Sequence, residues 1–220
     1  MDYVLYTLAA GPVATNVYLL VHPDTRSAIC IDAPSDCRTW VMEHLEKHDC
    51  RLTHLLLTHT HWDHTADAAP IVRDTQATVY VHPDDSYRLV DPMAHTIWPL
   101  PFQIEPVTEF ETLSEGDELT LQGATFKVIH TPGHTEGGVC FIDHENRRVF
   151  AGDTLFAGSI GRADLPGGDM ELLLKSIRER LLTLPGDYVV WPGHGPATTI
   201  GEEILSNPYV GVNADDTTQW

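Results

Sequence analysis

Positive charge is scarce in this chain. Its 220 residues include 13 Lys and Arg against 32 Asp and Glu, a formal net charge of −19, and lysine occurs only at Lys47, Lys127 and Lys175. A protein that binds a nucleic-acid backbone needs a basic stripe to neutralise the phosphates, and this sequence has none. We therefore expect no nucleic-acid partner.

The chain also has no long apolar run and no basic start. No stretch is long and apolar enough to span a bilayer, and no Lys or Arg precedes Arg26, so the charged opening of a signal peptide is missing. The four cysteines show no Cys-x-x-Cys spacing, and a chain of this length folds without disulfide staples. We predict a cytoplasmic protein with reduced thiols and no membrane partner, either a monomer or a homodimer.

The order of apolar and polar segments favours an α/β fold in a single domain, residues 1–220, whose 42% apolar content can bury a sizeable core. Each half of the sequence predicts strands, then a helix, then a strand that enters a polar loop. This order implies an αββα sandwich, which consists of two mixed β-sheets with outer helices. The predicted strands are 3–8, 15–21, 27–32, 52–57, 78–81, 118–121, 125–129, 138–142, 148–150 and 188–191, and the main predicted helices are 36–48, 65–73 and 170–182.

Three local signals refine this outline. Asp36 is a plausible N-cap for the first helix, and Gln122-Gly123 predicts the turn of a hairpin. Residues 91–111 are rich in proline and aromatic residues and lack periodicity, which predicts a long loop. Such a loop is either a lid or substrate wall, or a segment packed on the edge of a sheet.

Four side chains that can bind metal lie close together, directly after an apolar run. They occur in the segment Thr58-His59-Thr60-His61-Trp62-Asp63-His64. Two histidines separated by one residue at a strand end can reach a common ion, while the carboxylate and third imidazole just beyond them face a second ion. Neutral imidazole and carboxylate suit Zn²⁺, and they also suit iron or manganese.

Three further candidates follow later apolar runs, and their recurrence argues against a merely solvated histidine-rich loop. They are His134 in Thr131-Pro132-Gly133-His134-Thr135, Asp153 in Ala151-Gly152-Asp153-Thr154, and His194 in Trp191-Pro192-Gly193-His194-Gly195. Because each of them follows a strand-like run, all seven side chains are expected to converge from loops on one edge of the scaffold.

The set of motifs and its order resemble the metallo-β-lactamase superfamily, and within it the short glyoxalase II-like (hydroxyacylglutathione hydrolase-like) enzymes. The resemblance covers nearly the whole chain, from Asn16 to Pro208, and is most specific in the stretches 151–156, 158–169 and 192–202. Full-length glyoxalase II enzymes continue into a helical domain that helps to bind glutathione. This chain ends at Trp220, so it is expected to lack that domain.

The resemblance implies how the seven ligands divide between two divalent metal ions, with zinc expected and iron or manganese as alternatives. One ion would be held by His59, His61 and His134, and the other by Asp63, His64 and His194, with Asp153 bridging both. A hydroxide bridging the metals would be the nucleophile, and Asp63 would also orient it. Asp63 and Asp153 are therefore the predicted catalytic residues.

Three more residues are candidates outside the ligand set. Asp32, at a strand end, is expected to hydrogen-bond a ligating histidine, although a strand-end turn cap is an equal alternative. Arg162 is expected to bind an anionic end of the substrate, and Tyr18 to line the cleft. A surface arginine and ordinary strand packing are the alternatives for these two residues.

The implied activity is metal-dependent hydrolysis of a small thioester or ester, of the hydroxyacylglutathione hydrolase type. The alternative is an oxidoreductase of the same fold that resembles the persulfide dioxygenases, which bind a single iron. Those enzymes usually carry a small residue where this chain has Trp62, so the hydrolase is favoured.

Overall fold

The computed structural model describes residues 3–121 and 124–214. They divide into two compact units, one within Met1–Leu113 and Thr120–Ala124, and the other within Ser114–Leu119 and Thr125–Trp220. No helix in the described ranges has the length and apolar character required to cross a bilayer.

The first unit contains a six-stranded mixed sheet. Its strands lie in sequence order: β1 (Val4–Ala10), β2 (Thr15–His22), β3 (Ser27–Ile31), β4 (Arg51–Leu56), β5 (Thr78–Val81) and β6 (Glu111–Thr112). The first three strands are antiparallel, and β3 to β6 are parallel. Because parallel strands end at the same edge of a sheet, the segments that follow β3, β4 and β5 emerge side by side.

Four α-helices and one 3₁₀ turn accompany this sheet. They are α1 (Arg38–Lys47), α2 (Trp62–Thr65), α3 (Ala68–Thr75), the 3₁₀ turn Pro83–Asp85 and α4 (Ser86–Val90). Val41 and Leu45 of α1 and Ile71 of α3 are buried in an apolar cluster with Leu19 and Leu55 of the sheet. This packing holds β4 rigidly and fixes where the histidine-rich segment leaves it.

The second unit contains another six-stranded mixed sheet. Its order is β14 (Thr198–Thr199), β13 (Val189–Pro192), β10 (Arg148–Gly152), β9 (Val139–Asp143), β8 (Ala124–His130) and β7 (Glu118–Leu121), with a small ribbon of β11 (Leu155–Phe156) and β12 (Ser159–Ile160). Only the β10–β13 pairing is parallel among the described registers. Leu173 and Ile177 pack on Ile142, Val149 and Val190 of this sheet.

Side-chain caps define where the helices of the second unit begin. The Asp169 carboxylate accepts a hydrogen bond from the Leu172 amide at the start of α5 (Met170–Ser176), and the Thr199 hydroxyl accepts one from the Glu202 amide at the start of α6 (Ile200–Ser206). The predicted helix 170–182 changes its hydrogen-bonding pattern along its length, because Ile177–Leu181 forms a π-helix.

Two helix predictions need correction. Asp36 is not the N-cap of α1: Cys37 occupies that position, and Asp36 lies in the left-handed region with φ of 68°. The predicted helix 65–73 begins too early: α2 ends at Thr65, and α3 begins at Ala68, with Pro70 in its first turn, where no intrahelical donor is needed. The predicted loop 91–111 forms neither helix nor strand up to residue 110, and its last residue, Glu111, begins β6. The predicted turn at Gln122-Gly123 lies outside the described residues.

Candidate metal centre

The first unit gathers four of the predicted ligands immediately after β4. The ring of His59 lies with its centroid 4.9 Å from that of His61 and 4.1 Å from that of His64. His64 Nε2 is 3.6 Å from Asp63 Oδ2. The possible ligand atoms of His59 and His61 lie within 4.8 Å of each other, and so do those of Asp63 and His64. The unit therefore offers two pairs of donors at the spacing of metal ligands.

Hydrogen bonds decide which ring nitrogen of two of these histidines can bind metal. His64 Nδ1 is 2.8 Å from Asp32 Oδ2, and a carboxylate only accepts, so Nδ1 carries the proton. Thr58 Oγ1 donates its own proton to Asp32 Oδ2 at 2.8 Å, so it accepts from His59 Nδ1 at 3.2 Å. The remaining nitrogen, Nε2, holds the lone pair in both rings, which is the tautomer that a metal ligand requires.

Asp32 holds this arrangement from a buried position at the end of β3. It is 1% exposed and also accepts a hydrogen bond from the Thr58 amide at 2.8 Å. Asp63 is held separately, because Thr15 Oγ1 donates to its Oδ2 at 2.9 Å. Both carboxylates are thus fixed by neighbouring donors before any ion is bound.

The second unit brings the other three predicted ligands together. They lie in the loops that follow β8, β10 and β13. Asp153 Oδ2 is 3.5 Å from His134 Nε2 and 3.5 Å from His194 Nε2. One carboxylate oxygen therefore lies equally close to two imidazole nitrogens, which is the position expected of a ligand shared by two ions.

Backbone contacts fix the loops that carry His134 and Asp153. His134 Nδ1 donates to the carbonyl oxygen of Arg162 at 2.6 Å, so its Nε2 is also the ligand nitrogen. A Cβ atom at Gly161 would lie 1.8 Å from the carbonyl oxygen of Asp153, so only glycine fits there. The sequence indicates a role for the charged side chain of Arg162, but nothing in it indicates that the backbone carbonyl of Arg162 orients His134.

The side chain of Arg162 is engaged by an acid. Its Nε and its NH2 group each lie 2.7 Å from a carboxylate oxygen of Asp164. This ion pair lowers the pKa of Asp164 and raises that of Arg162. Arg162 and Asp164, together with Ala163 and Met170, line a cavity of about 690 Å³. An anionic ligand in this cavity would compete with Asp164 for the guanidinium group.

Tyr18 offers little surface to a ligand. It lies in the middle of β2, paired with Thr7 of β1 and Ile31 of β3, and is 3% exposed. Its side chain points away from Val17 and Leu19, which are in the apolar cluster of the first unit.

Comparison with known proteins identifies the family. A model described as the metallo-beta-lactamase superfamily matches residues 10–194. The chain belongs to the metallo-β-lactamase superfamily. Hydroxyacylglutathione hydrolase GloC of Haemophilus influenzae is 36% identical over 193 residues, which cover 87% of this chain and 91% of that protein.

Two solved structures of the superfamily are similar along nearly their whole length. The B3 metallo-beta-lactamase BLEG-1 is 34% identical, with a TM-score of 0.87 over 94% of this chain and 99% of the other. TTHA1623, crystallised in a di-iron-bound form, is 37% identical, with a TM-score of 0.82 over 93% and 99%. These similarities confirm the predicted αββα fold class of the metallo-β-lactamase superfamily.

Members of the superfamily are mostly metal-dependent hydrolases that use divalent ions, and the donors in this chain fit such ions. Zinc and iron bind imidazole and carboxylate ligands. The first unit supplies them as two pairs of donors, and the second unit places two imidazoles around one carboxylate oxygen. The chain is therefore a metallohydrolase of this superfamily. The named relatives differ in activity, so the substrate has to be argued from the residues.

Proposed function

We propose that this protein is a binuclear metal-dependent hydrolase of a small thioester or ester, of the hydroxyacylglutathione hydrolase type. The ligands of one ion would be His59, His61 and His134, and those of the other Asp63, His64 and His194, with Asp153 a ligand of both. Zinc is the expected metal. The similarity to TTHA1623, which was crystallised with two irons, supports iron as the alternative.

The observation that carries the binuclear proposal is the placement of Asp153. Its Oδ2 is 3.5 Å from the ligand nitrogens of two different histidines. An ion bound by either histidine would lie next to the same oxygen, so that one carboxylate can serve two ions. Binding of a single iron would leave one of these histidines, and the donor pair of Asp63 and His64, without a role.

Two bound ions would supply a Lewis acid for the substrate carbonyl and lower the pKa of a bound water. The chain's own residues then have defined tasks. Asp63, held at Oδ2 by Thr15, would orient the attacking water with its carboxylate. The buried Asp32 accepts the Nδ1 proton of His64, which keeps Nε2 basic. No serine or cysteine nucleophile is required.

The relative GloC and the cavity lined by Arg162 support the proposed substrate class. Hydroxyacylglutathione hydrolysis acts on a thioester, and the 36% identity to GloC supports a thioester or a related ester. The guanidinium of Arg162 is paired with Asp164 at 2.7 Å, so its positive charge is largely compensated. We therefore expect the cavity to accept neutral acyl or thiol groups as well as anionic ones, with weak selection for glutathione.

Steady-state hydrolysis of a lactoylglutathione-type thioester by the metal-loaded protein tests the proposal. We expect turnover in the wild type, loss of turnover in Asp153→Asn, and normal turnover in the control Asp187→Asn, whose carboxylate is 52% exposed and pairs with Arg147. A protein that consumes oxygen with a persulfide substrate and leaves thioesters and esters intact would contradict it, and would favour the mononuclear iron alternative.

A further inference from the structure

A buried acid outside the proposed ligand set contacts the residue between two of the ligands. Asp85 ends the 3₁₀ turn that follows β5, and it is 0% exposed. Its Oδ2 accepts a hydrogen bond from the Thr60 amide at 3.0 Å, and its carbonyl oxygen accepts one from Thr60 Oγ1 at 2.7 Å. Thr60 separates His59 from His61, so these two bonds fix the chain between both histidines.

The other oxygen of the same carboxylate is held by a buried arginine. Arg88 NH1 lies 3.0 Å from Asp85 Oδ1, and the Arg88 side chain is only 5% exposed. Arginine remains charged in proteins, and a buried guanidinium needs a counter-charge and hydrogen-bond acceptors. Arg88 therefore supplies the counter-charge and orients the carboxylate, so that Oδ2 faces the Thr60 amide.

We propose that Asp85 is a positioning residue for the metal site, which sets metal affinity by fixing the backbone between His59 and His61. A pair of ligands separated by one residue binds an ion tightly only when both rings are already aimed at it, because alignment on binding costs conformational freedom. Thr60 lies directly between His59 and His61, so a shift of its backbone would displace both rings. The inference rests on the proposed function for its metal, and not on the identity of the substrate.

The competing explanation is that Asp85 and Arg88 only stabilise the fold of the first unit. The two explanations differ in what they predict for Thr60. A merely structural ion pair would leave metal affinity unchanged in any variant that still folds. A positioning role predicts that metal affinity falls together with the protection of the Thr60 amide against hydrogen exchange, even in a variant whose global stability is unchanged.

The test uses three variants and a matched control. Asp85→Asn removes the charge but keeps a possible acceptor, and Thr60→Val deletes the hydroxyl while leaving the Asp85–Arg88 pair intact. The control is Asp84→Asn, because the Asp84 carboxylate is 59% exposed and belongs to the adjacent residue. Amide exchange of residue 60 is measured in the metal-free protein, and Zn²⁺ affinity is measured by competition with a chelator.

We expect Asp85→Asn to exchange the Thr60 amide faster and to lose about 10–100-fold in Zn²⁺ affinity, the range typical of residues that support metal ligands. Thr60→Val should lose less but more than the control, and Thr60→Ser should restore the wild-type affinity. If Asp85→Asn fails to fold, the comparison of Thr60→Val with Thr60→Ser still tests the positioning role. Wild-type exchange and affinity in the folded variants would overturn this inference alone, whereas a wild-type chain that binds no metal would overturn it together with the proposed function.

Discussion

Replacing Asp32 with Asn should change the tautomer of His64 and thereby weaken metal binding. Asp32 accepts three hydrogen bonds of 2.8 Å, two from Thr58 and one from His64 Nδ1, while it is 1% exposed. Asparagine suits the site sterically, because φ at this position is 58° and Asn tolerates the left-handed region. With the amide oxygen facing the Thr58 N–H, the amide NH₂ faces His64 Nδ1 and donates to it.

The size of the effect follows from these contacts. Hydrogen bonds to a buried charge contribute roughly 1.5–3 kcal/mol each and neutral ones about 1 kcal/mol, so the three bonds together predict a fall of about 1.5–6 kcal/mol in the free energy of unfolding. Donation to Nδ1 moves the His64 proton to Nε2, the nitrogen that would bind metal. We therefore expect Zn²⁺ affinity to fall about 10–100-fold.

Two measurements on one variant check this prediction. The ¹⁵N chemical shifts of the His64 ring in the metal-free protein report the tautomer, and chelator competition reports the affinity. Asp143→Asn is the matched control, because Asp143 is 1% exposed and accepts hydrogen bonds from Asn146 away from the ligands. It should be destabilised while keeping its Zn²⁺ affinity. An Asp32→Asn variant with Nδ1 still protonated and unchanged affinity would refute the reasoning.

Three further predictions test other parts of the account. Gly161→Ala should lower hydrolysis at least about tenfold, because a Cβ atom would lie 1.8 Å from the Asp153 carbonyl oxygen and displace the loop that carries Asp153; wild-type activity in this variant would contradict this. Asp164→Asn should lower KM for an anionic thioester more than for a neutral one, because it frees Arg162. Arg162→Ala should raise KM for the anionic thioester more than for the neutral one. Steady-state kinetics on a matched pair of anionic and neutral thioesters measure both changes. Burial raises the pKa of Cys140 from 9.0 to about 11, so the folded state keeps a thiol that the unfolded chain ionises, and stability is lost as pH rises from 9 to 11. Urea unfolding should show this loss, about 2–3 kcal/mol, in the wild type relative to Cys140→Ala, and parallel pH profiles would contradict it.

The sequence could predict the candidate ligands because they lie directly after strands. The ligand segments follow β4, β8, β10 and β13, and apolar runs of strand length marked each of these positions in advance. Asp32 could be predicted as a candidate in the same way, because it follows β3, the strand parallel to β4. Its carboxylate accepts a hydrogen bond from His64 Nδ1.

Other features depend on contacts that no local pattern encodes. Asp84 and Asp85 are adjacent and chemically identical, and only the packing of Arg88 and Thr60 around the second separates an exposed acid from a buried one. The Arg162 carbonyl is another case, since any residue could supply it. Where α3 begins is a third case, because the sequence predicts a start at residue 65 whereas the helix begins at Ala68, which places Pro70 in its first turn.

The metal content of the purified chain tests the central claim most directly. We expect two divalent ions per wild-type chain after reconstitution, and one or none in Asp153→Ala, because the oxygen that lies 3.5 Å from both His134 and His194 is removed. One ion per wild-type chain, or two ions retained by Asp153→Ala, would contradict it.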